Sequence, residues 1–286
     1  MLEPGAPIPA ARHMPAGRSR LRRATLRLIK SAGMTTLLLL CAFSMAAGFV
    51  DAVVGGGGLI QLPAALLLLP GVPFPTLLGT NKFASFFGTS IAVHRYARHV
   101  KIDWHAIAPA AVAAFLFAFL GSRAVTLLNP AILRPLVLVL LVIVATYVFL
   151  VKDLGLIHQP RHAPRKTRWI AVTIGSLLGF YDGFFGPGMG SFLIFAFVGI
   201  LGFDFLSASA SAKAINWCTN LASIIYFAST GQLLYGIGLA MAASNILGAT
   251  LGTQLAIKKG SRFVRIFFLV IVCGLIAKLA QVHFWP

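Results

Sequence analysis

The chain alternates between long apolar runs and short polar or basic stretches, a pattern typical of membrane helices. A helix needs roughly 20 apolar residues to cross a bilayer. Eight runs approach or exceed that length and predict transmembrane helices at 34–54, 76–97, 104–127, 131–151, 168–186, 207–229, 233–257 and 263–283. Two shorter apolar runs, beginning at Leu59 and Met189, each follow a glycine-rich break, as re-entrant segments do. We therefore expect an all-α polytopic membrane protein.

The chain also contains an internal repeat. Asp51 lies in "GFVDAVVGGGG", and Asp182 lies in "GFYDGFFGPGMG", 131 residues later (182 − 51). The same offset, without a gap, pairs Gly55 with Gly186, Gly57 with Gly188, Lys82 with Lys213, Gly121 with Gly252 and Arg134 with Arg265. Matched charges in apolar surroundings indicate a duplication. We predict two homologous four-helix repeats, 34–151 and 168–286, with a basic tail at 1–33 and a basic linker at 152–167.

The number of crossings decides how the two repeats are oriented. Four spans each give both repeats the same direction, whereas five each invert one against the other, and transporters use both arrangements. Eight spans with a cytoplasmic N-terminus place Arg12–Lys30, Arg95–Lys101 and Lys152–Arg168 inside, as the positive-inside rule requires, but leave Lys258–Arg265 outside. We expect this eight-span arrangement with two re-entrant segments, and the ten-element inverted arrangement stays open as the alternative.

Composition and charge agree with a membrane protein. Of the 286 residues, 58% are hydrophobic and only 10% are charged, against roughly 25% charged in soluble domains. A net charge of +18 first suggests nucleic-acid binding, but the basic clusters flank the apolar runs as topology determinants do. We expect the lipid bilayer, and no nucleic acid, as a partner. The sequence contains no catalytic or metal-ligand pattern, so we expect no cofactor and no enzymatic activity.

Two acids lie within apolar runs, at equivalent positions of the repeat. Burying a charge at the bilayer centre costs about 2.5–3.5 kcal/mol on insertion scales. Because this cost applies at both Asp51 and Asp182, the two acids are expected to have a functional role. That role is either to couple transport to protons or to hold a basic partner. The structural alternative is that both acids lie near the interface and cap the glycine breaks.

The glycine-rich stretches break their helices at equivalent places. Unwound backbone is tolerated at membrane depth where it is buried in protein or lines a cavity, and paired breaks indicate a transport site. The short helix after each break would present its N-terminal N–H groups to an anion. Close helix packing through glycine is the alternative. The candidate backbone residues are Gly55, Gly56, Gly57, Gly58, Gly186, Pro187, Gly188 and Gly190.

A lysine and two polar side chains share one face of the helix that follows each break. Their spacing is i, i+3 and i+7, and they are Lys82, Ser85 and Thr89 in the first repeat and Lys213, Asn216 and Asn220 in the second. Thr80 and Asn81 adjoin Lys82 in the motif "GTNK". A lysine in an apolar helix needs an anion beside it, which could be Asp51, Asp182 or a substrate.

These motifs, together with "SAKAINWCTN", resemble the TauE/SafE family of sulfite and organosulfur-anion exporters, in particular its YfcA-like branch. The resemblance extends from about residue 35 to 283. It implies a duplicated four-span unit in the bacterial inner membrane that transports a small anion. The motif positions are Asp51, Gly55 to Gly58, Pro63, Thr80, Asn81, Lys82, Asp182, Gly186, Pro187, Gly188, Gly190, Lys213, Asn216 and Asn220.

The resemblance and the residues together predict a secondary transporter of sulfite, a sulfonate or a related organic anion, with alternating access at a site between the repeats. Lys82 and Lys213 would neutralise the anion, and nearby amides and hydroxyls would bind its oxygens. Asp51 and Asp182 would couple protons to transport or pair with the lysines of the empty site, and whether Asp51 moves a proton or holds Lys82 in place stays open. The alternatives are an anion channel and a non-transporting membrane subunit. Nothing in the sequence indicates an oligomeric state.

Overall fold

The protein is all-helical throughout the described residues. A computed structural model describes residues 33–128 and 161–284, with the side chains of residues 265 and 268–284 excepted. Its helices are α1 (Met34–Val54), α2 (Gly58–Leu68), α3 (Phe74–His99), α4 (Trp104–Leu127), α5 (Pro164–Phe184), α6 (Met189–Ala196), α7 (Phe205–Ser229) and α8 (Tyr235–Phe284). The predicted span 131–151, the tail to residue 32 and the linker to residue 160 lie outside the described residues.

Local sequence explains where several helices begin and end. Asp103 and Asp204 cap α4 and α7, each accepting hydrogen bonds from backbone N–H groups of the first turn. Pro164 stands at the first position of α5, where its missing N–H costs nothing. A π-helical segment, Phe197–Leu201, extends α6. Gly260 kinks α8 with φ of 70° and ψ of −168°, which divides it where the sequence predicted a boundary between two spans.

The distribution of side chains is that of a membrane protein. By length and composition, three described helical segments can cross a bilayer, Met34–Val54, Trp104–Leu127 and Tyr235–Val264. Large apolar side chains such as Leu116, Leu177 and Leu247 face outward, while charged and amide side chains are buried inside. Lipid can cover the apolar exterior, and the polar interior is where a membrane protein places function.

Small residues allow the long helices to pack closely. On α5, a Cβ added to Gly175 or Gly179 would lie 2.6 Å from the carbonyl oxygen of Ala110 or Ala114 of α4. Gly248 and Gly252 of α8 approach α1 in the same way, next to the carbonyl oxygens of Met45 and Phe49. Contacts between small residues are the usual means of helix association in lipid, so part of the glycine content serves packing.

The order of these contacts fixes the relative directions of the helices. α4 runs parallel to α5, and α1 runs parallel to α8, because residue numbers rise together along both contacts. α3 is also parallel to α8, with Thr80 beside Leu234 and Gly88 beside Asn245. In contrast, α3 and α7 are antiparallel, since Gly79 lies against Phe227 and Ser90 binds Trp217.

Candidate functional site

The two glycine-rich breaks contact each other in the interior. Gly55 follows α1 with φ of 79°, and its repeat equivalent Gly186 follows α5 with φ of 92°. Both angles lie in the left-handed region that favours glycine. A Cβ on Gly55 would lie 2.3 Å from the carbonyl carbon of Gly190, and a Cβ on Gly190 would lie 2.6 Å from the Cα of Gly55. The end of α1 and the start of α6 therefore meet backbone to backbone.

We predict that Gly55→Ala destabilises the protein severely. The left-handed conformation costs a non-glycine residue about 1–2 kcal/mol, and the overpacked contact with Gly190 costs about 1–3 kcal/mol more. Gly236→Ala is the matched control, because a Cβ there meets nothing within 4 Å. Thermal unfolding of the purified variants checks this expectation. Equal melting temperatures for the two variants would contradict the close approach of the two breaks.

A small polar cavity lies where the breaks meet. Its volume is about 20 Å³, which leaves room for little more than one water molecule. Every residue that lines it belongs to the set singled out from the sequence. These residues are Asp51, Gly55, Gly58, Asn81, Lys82, Ser85, Asp182, Gly186, Gly190, Asn216 and Asn220. The first residue of α2 and the second residue of α6 are among them, so both short helices begin at the cavity.

Two buried ion pairs cross between the repeats at this cavity. Lys82 Nζ of α3 pairs with Asp182 Oδ1 of α5, and Lys213 Nζ of α7 lies 2.8 Å from Asp51 Oδ2 of α1. Each lysine contacts the aspartate of the other predicted repeat, so of the partners left open for Lys82, Asp182 is the one that it contacts. Sequence spacing could not reveal this exchange, since it depends on how the repeats pack.

The charges of these four side chains cancel. The side chains of Lys82, Asp182 and Lys213 are 3%, 1% and 0% exposed, and that of Asp51 is 19% exposed. Removing one member of a buried pair leaves an uncompensated charge, at a cost of about 3–5 kcal/mol. The site is thus stable as a closed, neutral unit, and a further charge can enter only if one pair opens.

Polar side chains of α3 and α7 complete the wall of the cavity. Asn220 Nδ2 donates to Asn216 Oδ1 at 3.2 Å, and Asn216 Nδ2 approaches Met189 Sδ at 3.5 Å. Within the described residues, nothing donates a hydrogen bond to the buried Asn81 Oδ1 or to Asp182 Oδ2. The cavity therefore combines the ammonium group of Lys82, amides and helix starts, which suit an oxyanion, with the carboxylates of Asp51 and Asp182.

Comparison with known proteins assigns the family. The family described as sulfite exporter TauE/SafE matches residues 40–279. The chain belongs to this family. The resemblance drawn from the glycine and lysine motifs is therefore confirmed. No solved structure matches the chain.

Named relatives cover most of the chain. A "Probable membrane transporter protein" of Haemophilus influenzae is 34% identical over 88% of this chain and 98% of its own length. The "Probable membrane transporter protein ORF9" of a Sinorhizobium species is 34% identical over 82% and 88%. The "Probable membrane transporter protein YfcA" of Escherichia coli is 30% identical over 82% and 86%. This TauE/SafE protein is thus a multi-pass membrane protein of a family whose named relatives are described as membrane transporters.

Several residues singled out from the sequence lie away from the cavity of this TauE/SafE protein. Thr80 Oγ1 donates to Thr76 O and accepts from Leu234 N at 3.0 Å, so it links α3 to the start of α8. Thr89 Oγ1 donates to Ser85 O of its own helix. Lys213 lies behind Asp51 and does not border the cavity. The others that do not border it are Gly56, Gly57, Pro187 and Gly188.

Three hydroxyl groups that sequence reasoning missed hold the end of α1. Tyr96 donates to Ala52 O at 2.8 Å, Ser209 to Val53 O at 2.9 Å and Ser191 to Val54 O at 2.8 Å. A helix end leaves its last carbonyl groups without partners in the helix, and these donors satisfy three of them. Buried hydroxyls in apolar runs were the available signal, but their targets could not be predicted from spacing.

Proposed function

We propose that this protein is a secondary transporter that carries a small anion, such as sulfite or a sulfonate, across the cytoplasmic membrane. The observation that carries the proposal is the pair of buried lysines beside two paired helix breaks. Lys82 borders the cavity, and Asn216, Asn220 and Ser85 add hydrogen-bonding groups. The family and its relatives, which are named as transporters, support the same reading.

The neutrality of the site suggests how transport is coupled. An anion that binds Lys82 displaces Asp182 from it, which leaves the buried carboxylate without a counter-charge. A proton on Asp182 restores neutrality, so the anion and the proton enter together. The contacts with the anion must differ between the inward-facing and outward-facing states, because an anion that binds both states equally well does not shift the equilibrium between them.

We also propose that the two repeats are inverted, with the short helices α2 and α6 returning the chain partway. Three pairs of helices begin 131 residues apart, at Gly58 and Met189, Phe74 and Phe205, and Trp104 and Tyr235. The equivalent helices α3 and α7 are antiparallel, so a two-fold axis relating them lies in the membrane plane. This geometry supports the ten-element alternative over eight spans with parallel repeats.

The inverted arrangement gathers the basic loops on one side of the membrane. The end of α3, the start of α5 and the kink in α8 carry Arg95–Lys101, Arg161–Arg168 and Lys258–Arg262. By the positive-inside rule this side is cytoplasmic. The cluster near residue 260, which eight spans left outside, then lies inside with the other two. Met34 then begins α1 on the periplasmic side, which reverses the expected cytoplasmic N-terminus. The basic tail Arg12–Lys30 favours the opposite placement.

Accessibility of single cysteines in a cysteine-free background separates the two arrangements. We predict that Gly231→Cys reacts with a membrane-impermeant maleimide in intact cells. Lys101→Cys and Lys259→Cys should react only after the membrane is permeabilised. Labelling of Lys259→Cys but not Gly231→Cys in intact cells would support parallel repeats and contradict the inversion.

Transport of labelled sulfite in membrane vesicles tests the proposed function. The double variant Lys82→Ala and Lys213→Ala should lose saturable flux, because the two buried lysines described at the site are both removed. Unchanged flux at normal expression would contradict the role of the two lysines. Large ohmic conductance would instead identify an anion channel, and absence of flux for every small anion, in the wild type as well, would identify a non-transporting subunit.

A further inference from the structure

The two ion pairs at the cavity differ, although the repeat makes them formally equivalent. Lys82 borders the cavity, whereas Lys213 is fully buried behind Asp51. Asp182 is 1% exposed, and nothing in the described residues donates to its Oδ2 atom. Asp51 is 19% exposed and can be solvated from the cavity. An entering anion therefore meets Lys82 first, and that lysine has a partner whose carboxylate is poorly satisfied.

The helix ends that carry the two aspartates are also held differently. The end of α1, next to Asp51, accepts hydrogen bonds from Tyr96, Ser209 and Ser191, which belong to three other helices. Ser209 and Lys213 stand one turn apart on α7, so the same helix holds α1 twice. The first break is thus fixed to its surroundings at four points.

The second break lacks the equivalents of these hydroxyl donors. The repeat offset places Phe227, Leu78 and Ile60 at the positions of Tyr96, Ser209 and Ser191, and none of the three side chains has a hydroxyl group. At the end of α5, Ser122 Oγ donates to Gly183 O at a longer distance of 3.3 Å.

The second break is instead tied to itself. Tyr181 OH donates to Pro187 O at 2.6 Å, and Gly186 N donates to Tyr181 O at 3.2 Å. The bonds of this break to other helices are those of Ser122 to Gly183 O, of Ser191 to Val54 O and of Lys82 to Asp182, one fewer than at the first break. With the Lys82–Asp182 pair open, two of these remain, so the second break is the less firmly held of the two. Gly186 also lies against Lys82, since a Cβ there would be 3.1 Å from Lys82 Nζ. A shift of this break therefore changes the surroundings of Lys82 directly.

We infer that the two ion pairs have separate roles, with Lys82–Asp182 as the pair that opens to admit the anion and Lys213–Asp51 as a permanent strut. This assignment rests on the proposed function and adds to it that the two repeats have different roles in transport. Lys82 contacts the anion, and Asp182 takes the proton when Lys82 leaves it. Lys213 is a positioning residue that holds the first break in place through Asp51.

Two matched double variants test the assignment. Lys82→Gln with Asp182→Asn, and Lys213→Gln with Asp51→Asn, each remove one positive and one negative charge, so neither leaves a buried charge unpaired. Binding is measured as the sulfite-dependent rise in melting temperature of the purified protein, and transport as sulfite flux in proteoliposomes. The 82/182 variant should lose both signals, with affinity at least 100-fold weaker. The 213/51 variant removes one carboxylate from the cavity wall, that of Asp51, but keeps Lys82 and Asp182, so sulfite affinity should stay within about tenfold of wild type.

The outcomes separate the inference from the proposed function. Equal loss in both variants, or loss confined to the 213/51 variant, overturns the inference while leaving a transport site at the cavity. Wild-type binding and flux in both variants overturns the placement of the anion site at the cavity together with the inference, and absence of sulfite binding and flux in the wild type overturns the proposed function.

A third double variant keeps the test decisive if the 213/51 variant does not fold. Ser209→Ala with Ser191→Ala removes two hydroxyls that hold the first break and leaves all four charges. We expect a lower melting temperature, by about 5 °C, with sulfite affinity within threefold of wild type. A tenfold loss of affinity at an unchanged melting temperature would overturn the role of the first break as a fixed frame.

Discussion

Lys82→Gln abolishes saturable sulfite flux, with an expected fall of at least 100-fold. Lys82 is the cation that borders the cavity, and losing one charge-assisted contact to a buried anion costs about 3–5 kcal/mol, which is a factor of about 100 or more. Glutamine keeps much of the length of the side chain but not the charge. Initial rates in proteoliposomes, at matched protein content, measure the effect.

Lys258→Gln is the control for this prediction. Lys258 is exposed on α8, far along the chain from the cavity residues, and its replacement removes the same charge from the protein. Its flux should match that of the wild type. A comparable fall in both variants would show that the loss follows net charge or expression, and not the site.

Asp182→Asn uncouples anion movement from the proton gradient. In the proposed mechanism, a proton on Asp182 compensates for the release of Lys82, so an imposed gradient should drive accumulation. Asparagine cannot take up and release a proton as a carboxyl group does, and Lys82 loses the carboxylate that competes with the anion for it. We expect sulfite–sulfite exchange to persist while gradient-driven accumulation falls to the equilibrium level. Besides Asp182, the charged side chains that line the cavity are Lys82 and Asp51. Both are unchanged in Asp182→Asn, so a loss of coupling relative to wild type is assigned to the Asp182 carboxyl group.

Asp103→Asn controls for the loss of a carboxylate elsewhere. Asp103 caps the start of α4 through Ala106 N at 3.4 Å, and asparagine caps helices about as well as aspartate. Accumulation should therefore be unchanged in this variant. Continued gradient-driven accumulation in Asp182→Asn would rule out Asp182 as the coupling residue.

The helices and the cavity residues could be predicted because their signals are local. Apolar runs placed helices at the residues where they occur, with α1 at Met34–Val54 and α4 at Trp104–Leu127 as expected. The cost of burying Asp51, Asp182 and the lysines in apolar surroundings identified them as candidate site residues, and they do come together.

The pairing and the orientation could not be predicted because they depend on contacts between the repeats. The sequence left the partner of Lys82 open among Asp51, Asp182 and a substrate, and the contact with Asp182 depends on how the two predicted repeats pack. Counting four full spans in each repeat favoured parallel repeats, because the two short helices were not counted as crossings of the membrane. The hydroxyl bonds to the end of α1 join residues up to 156 positions apart, which no local pattern records.

Counterflow in proteoliposomes tests most directly whether a small anion is transported at the cavity. Vesicles containing the purified protein are loaded with unlabelled sulfite and diluted into labelled sulfite, with Lys82→Gln in parallel. The proposed mechanism predicts a saturable, transient accumulation of label in wild type that is absent from Lys82→Gln. Equal accumulation in both, or label entry that rises linearly with concentration without saturating, would contradict a carrier that binds its anion at Lys82.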